Sequence, residues 1–203
     1  ATSCWAPMNP SEVLRRITAA LDRAGIAYML TGSFASSMYG ALRSTMDIDI
    51  VIAASRDQVE QLVQLLPEIE YYVELESALR AYDHESMFNV IDLANNWKVD
   101  IIFRKSRAFS QEEFKRRHSM NVDAIPVFVA SAEDIVLAKL EWSRLAESHR
   151  QIEDVAAILR LQWSRLDQDY LKRWIAELGV QREWEKAKPT AQIVEHRIDD
   201  GAL

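Results

Sequence analysis

Leu30-Thr31-Gly32-Ser33 and, after thirteen intervening residues, Asp47-Ile48-Asp49-Ile50-Val51 are the stretches on which the reading of this chain turns. The apolar run 27–31 and the β-branched run 47–53 predict two strands, with Gly32 to Gly40 as a turn that opens a helix of small residues. Alternate side chains of a strand share a face, so Asp47 and Asp49 point one way and Ile48 and Ile50 the other. Two carboxylates that close are costly unless a cation neutralises them, and a hard divalent ion with oxygen ligands, Mg2+ first of all, suits them. A third acid, Asp100, stands between Val99 and Ile101 in a strand predicted over 98–103. That strand is expected to form an antiparallel hairpin with 87–93 and to lie beside the Asp47 strand, and Asp92 in the hairpin partner competes for the third position. Gly32 and Ser33 sit where strand becomes helix, a place where backbone N–H groups and a hydroxyl can hold phosphate oxygens.

Working outward, apolar residues at helical spacing predict a helix capped by Ser11 and ended by Gly25, and another over 58–66 stopped by Pro67. A short strand over 70–73, a helix over 74–81 and a strand over 126–130 follow. Beyond residue 131 the pattern is helical only, over 132–147, 150–161, 167–178 and 180–188. We therefore expect an α/β (α+β) architecture: residues 1–9 as a leader or tail, 10–131 as a domain with a small mixed sheet, and 132–203 as a helical region.

Composition narrows the function classes. The 203 residues are 49% hydrophobic and 27% charged, as in ordinary globular proteins. The net charge of −7 argues against a surface built throughout for nucleic acid. Residues 104–117 run against it, with Arg104, Lys105, Arg107, Lys115, Arg116 and Arg117 facing only Glu112 and Glu113. That segment reads as a solvated helix face or as a landing strip for an anionic acceptor. Cys4 is the only cysteine, so the chain has no internal disulfide, and the four histidines lack metal-ligand spacing. The absence of an apolar run of membrane-spanning length or of a secretory pattern predicts a cytoplasmic protein without a membrane partner. Lys139 interrupts an apolar stripe of Ile135, Ala138, Trp142, Leu145 and Ala146; its ammonium either snorkels or reaches phosphate oxygens. Trp142 and Trp174 are expected in helix cores, and Arg150 with Asp154 as a surface pair.

Gly32-Ser33, Asp47-Ile48-Asp49 and Asp100 together resemble the signature of the DNA polymerase β-like nucleotidyltransferase superfamily. Arg43 and Thr45 sit where several bacterial members carry Arg-x-Thr-x-Asp, and residues 132–140 look like the helix after the catalytic sheet in toxin-type (AbiEii/MNT-like) nucleotidyltransferases. The resemblance spans residues 10–160. It implies transfer of a nucleoside monophosphate from a nucleoside triphosphate (NTP) to a hydroxyl of tRNA, a protein or a small molecule, in the setting of a toxin with an antitoxin partner. It further implies that Asp47 and Asp49 hold two Mg2+ ions, that Asp100 completes the site, and that Gly32, Ser33, Arg43, Thr45 and Lys139 hold the triphosphate. The non-enzymatic alternative is a catalytically silent binding or antitoxin module of the same fold. Asp-x-Asp also marks haloacid dehalogenase-like phosphatases, a reading that leaves the Gly-Ser turn unused and Asp100 idle.

Overall fold

Period-two alternation of apolar residues builds the centre of the protein. In the computed structural model, which describes residues 10–42 and 45–188, those segments become a seven-stranded mixed sheet. The strands are β1 (Ala27–Thr31), β2 (Asp47–Ala53), β3 (Tyr71–Tyr72), β4 (Met87–Asp92), β5 (Trp97–Phe103), β6 (His118–Val122) and β7 (Ile125–Val129). Their order is β3-β4-β5-β2-β1-β7-β6. β5 runs parallel to β2 and antiparallel to β4, and β1 runs antiparallel to β2. This is the expected α/β class with its mixed sheet, and the 87–103 hairpin is antiparallel as predicted.

The described residues divide into two compact units, residues 10–31 with 45–129 and residues 32–42 with 130–188. The first holds the whole sheet with α1 (Pro10–Arg23), α3 (Arg56–Gln64), α4 (Leu75–Asp83) and α5 (Ala108–Arg116), α2 belonging to the second. Ile48, Ile50, Ile52, Val99 and Ile101 are each at most 1% exposed, so one face of the central strands is closed. At the usual ~25 cal/mol per Å² of buried apolar area, such a face is the main stabilising term of the unit. Ser11 does not cap α1; it lies in the first turn, where its hydroxyl donates to Asp123. In the same unit Ser55 caps α3: its hydroxyl accepts from the Gln58 N–H while the Gln58 side chain accepts from the Ser55 N–H. The sequence reading places no strand at β6, while α5 falls in the 104–117 segment read as a solvated helix face. β6 is a mostly polar, exposed strand without the alternation that betrays one, and α5 holds to its unit by Phe109 and Phe114 under a cationic exterior.

The second unit contains α2 (Gly32–Ser37), α6 (Ala132–Ala146), α7 (His149–Gln162), a single 3-10 turn (Trp163–Arg165), α8 (Gln168–Leu178) and a further helix over 181–188. Ser131 caps α6 by accepting from the Asp134 N–H. Asp134 is itself fully buried and accepts hydrogen bonds from the Ser131 hydroxyl (2.7 Å) and the Tyr170 hydroxyl (2.6 Å), which ties α6 to α8. Gly179 ends α8 in the left-handed conformation, as its position after the apolar stripe predicts. Trp174 is buried as expected, whereas Trp142 and Leu145 are 62% and 72% exposed. The buried stripe of α6 keeps Ile135 and Lys139 from its sequence reading but otherwise runs through Val136, Leu137, Leu140 and Ser143.

Candidate active site

The open face of the central strands carries the acids. Thr31 on β1 is the register partner of Asp49 on β2, Asp49 that of Asp100 on β5, and Asp100 that of Asn89 on β4. A polar row thus crosses four adjacent strands at one level, while the residues between, Ile48 and Val99, face the closed side. Asp47 lies two residues before Asp49 on the same face, with Lys98 of β5 as its register partner. The structure therefore brings Asp47, Asp49 and Asp100 onto one surface, although they are 53 residues apart from first to last.

Their environments differ. Asp47 is half-exposed and Asp100 almost buried, with side chains 52% and 10% accessible. The Asn89 amide donates to Asp100 Oδ1, and Lys98 Nζ lies 3.0 Å from Asp100 Oδ2 and 3.7 Å from Asp47 Oδ1. The hydrogen bond to Asp100, joined by the charges of Asp100, Asp47 and Asp49, holds the Lys98 ammonium protonated above its usual range. Thr45 acts on the backbone, its hydroxyl accepting from the Asp47 N–H at 3.1 Å and so fixing the entry into β2. Arg43 lies outside the described residues. Gly32, at φ +66°, and Ser33 open α2 directly after Thr31 in the chain.

Asp92, the rival third acid, faces the closed side with no exposure. Its Oδ1 accepts from the Ala94 N–H (3.0 Å), the Asn95 N–H (3.1 Å) and the Asn95 amide (2.9 Å), and Arg16 takes its Oδ2. It is the turn's carboxylate. Within the helical unit, Lys139 is 4% exposed, and its Nζ meets Asp154 Oδ2 at 2.7 Å and Gln151 Oε1 at 3.1 Å. Asp154 is thus buried with Lys139 rather than paired with Arg150 on the surface.

Lys98 and Asn89 escaped the sequence reading. Both were within reach of it: with Asp92 opposite Trp97 across the turn, the hairpin register sets Asn89 opposite Asp100 and Lys98 on the acid face.

The donor chemistry fits a hard divalent ion, since the face offers carboxylate oxygens that already attract a side-chain ammonium. Among the described residues no three His, Cys, Asp or Glu side chains form a ready-made metal cage. A magnesium site does not require one, because water and substrate phosphates ordinarily complete its coordination.

A profile of the family described as "Nucleotidyltransferase of unknown function (DUF6036)" matches residues 11–195. The chain belongs to this family. Nucleotidyl transfer is accordingly its class of enzyme activity. Solved structures share the fold at low identity. The solution structure of the antibiotic-resistance factor ANT(2'')-Ia is 15% identical with a TM-score of 0.56, over 95% of this chain and 100% of that one. The lincosamide antibiotic adenylyltransferase LnuA, with lincomycin bound, is 14% identical with a TM-score of 0.53, over 77% of this chain and 99% of that one. An antigenic nucleotidyltransferase-like protein from Paracoccidioides brasiliensis is 17% identical with a TM-score of 0.51, over 91% and 94%. No curated protein sequence matches the chain. Among the described residues no helix is long and apolar enough to cross a membrane.

Proposed function

We propose that this nucleotidyltransferase is metal-dependent and moves a nucleoside monophosphate from an NTP to a hydroxyl acceptor, with Asp47, Asp49 and Asp100 as its acids. The observation that carries the reading is the shared open face of those three side chains on β2 and β5. In the step, the acceptor oxygen bonds to the α-phosphorus, the bond from that phosphorus to the bridging oxygen breaks, and pyrophosphate leaves. Divalent ions, Mg2+ by preference, would supply charge neutralisation and a more acidic acceptor hydroxyl. Asp100, nearly buried and oriented by the Asn89 amide, takes the acceptor's proton. Gly32, Ser33 and Arg43 bind the triphosphate, and Thr45 sets the backbone from which Asp47 projects. Lys139 joins them by exchanging its Asp154 partner for a phosphate. We assign the three acids to residues 10–131 and read 132–203, which contributes Lys139, as the helical region.

For the acceptor we propose tRNA, in a toxin-type enzyme with an antitoxin partner. The cationic segment after β5 supports this. Arg104 and Arg117 stand 5.4 and 4.2 Å from the Phe114 ring centre, and burial together with the like charge of Arg104 lowers the Arg117 pKa. A surface that crowds cations is relieved by a polyanion. A small hydroxylated acceptor is the second reading; it draws on the fold shared with antibiotic adenylyltransferases.

Incubation with each labelled NTP and Mg2+, together with total cell RNA or protein, tests both parts. Label is expected on tRNA with the unaltered chain, and none with the double variant Asp47→Asn, Asp49→Asn, whose melting temperature stays that of the parent. Transfer that persists in the double variant rules out the mechanism, and label on protein or on neither polymer rules out the tRNA acceptor.

A further inference from the structure

Lys98 is left without a task by the reaction as written. It is the register partner of Asp47 and precedes Asp100 by two residues, so the pleat puts its side chain among the acids. Its Nζ meets one carboxylate from each of two neighbouring strands, at 3.0 Å from Asp100 and 3.7 Å from Asp47. We infer that Lys98 is a resident counter-cation of the acid row, which an incoming divalent ion must displace, so that the site resists free metal and accepts metal delivered with a nucleotide. This rests on the reading of Asp47, Asp49 and Asp100 as metal-binding acids.

The physical case has three parts. Carboxylates on adjacent strands repel one another, and an ammonium between them removes most of that repulsion without a metal. A divalent ion seeks the same oxygens, and two cations at contact distance of one carboxylate oppose each other, so binding of the ion expels the ammonium. A lysine can leave cheaply: its charge rides on a flexible four-carbon stem, and Lys98 is 41% exposed, so no backbone has to move. A free ion then meets the full opposition of the lysine. An ion bound to a triphosphate brings anionic oxygens that receive the released ammonium, and the opposition becomes an attraction. Lys98 is in this scheme a positioning residue that couples metal entry to nucleotide entry.

Mn2+ binding to the full chain without nucleotide, followed by the electron paramagnetic resonance signal of the free ion, tests this directly. Lys98→Gln is expected to bind Mn2+ on the order of tenfold more tightly than the parent, and Lys98→Arg to stay near the parent. The Mn2+-induced rise in melting temperature should be larger in Lys98→Gln, and a non-hydrolysable NTP analogue should shrink the difference between the two proteins. Adding Asp49→Asn to Lys98→Gln should abolish the gain. Equal or weaker Mn2+ affinity in Lys98→Gln, or a gain that survives Asp49→Asn, overturns the inference. The two levels separate cleanly: transfer retained by the Asp47→Asn, Asp49→Asn variant sinks the catalytic reading. An unmoved Mn2+ affinity in Lys98→Gln, with transfer still dependent on the acids, sinks only the role of Lys98.

Discussion

Asp92 and Asp100 lie eight residues apart in one hairpin and face opposite sides of the sheet, which separates stability from chemistry at single residues. Asp92 accepts four hydrogen bonds at zero exposure, so Asp92→Ala takes the buried carboxylate from the Arg16 guanidinium, which keeps Glu70, and strands three turn donors. The expected cost is about 3 kcal/mol in urea unfolding, the scale for breaking one side of a buried ion pair. Asp100→Asn is expected to abolish nucleotidyl transfer while changing stability by less than about 1 kcal/mol, as for a substitution that preserves shape on a partly open face. Asn89→Ala, which removes the amide that holds Asp100 Oδ1, should lower kcat by roughly tenfold with little change in KM, since it disturbs orientation and not substrate contact. At this scale the acids were legible in the chain because alternation alone sets side-chain direction. The distinction between Asp92 and Asp100 was not, because it depends on the phase of one strand against its neighbour.

Elements were recognisable where burial is one-sided. β1 and β2 have the predicted bounds because each alternates or runs apolar between clear turn residues. β6 went unseen because an edge strand that buries little shows no period, and the face of α6 was misjudged because its first turns are buried nearly all round. Gly40 offers a test within the helical unit. It sits at φ +108°, and a Cβ there would come within 2.2 Å of Leu161 Cδ1. Gly40→Ala should therefore cost roughly 2 kcal/mol in thermal or urea unfolding, from positive-φ strain and from overpacking. Leu161→Ala, at a side chain 64% exposed, should return part of that loss and not all, because it relieves the clash and leaves the backbone strained.

On the scale of the whole molecule, burial pushes the phenols of Tyr28, Tyr39 and Tyr71 above their ordinary value of 10.0. The Tyr39 hydroxyl donates to the Ala130 carbonyl at 2.8 Å and resists ionisation most. A raised native pKa means that the folded chain holds the proton more tightly than the unfolded one. The stabilisation is complete below pH 10 and drains away as the pH climbs through the native values. Alkaline unfolding is therefore expected to begin above pH 10, with the last step of tyrosinate absorbance, that of the buried phenols, and loss of helical circular dichroism rising together; complete tyrosinate formation in a chain that keeps its helical signal would contradict it. The same scale shows where reading along the chain stops. Local rules of alternation, periodicity and turn chemistry determined six of the seven strands and most helices, because each acts over a few neighbouring residues. Tertiary structure alone decided that β5 runs parallel beside β2 in a register that sets Asp100 against Asp49 and Lys98 against Asp47, and that Lys139 spends its charge on Asp154. Those placements follow from contacts between segments far apart in the chain, whose energies exist only once the segments have met.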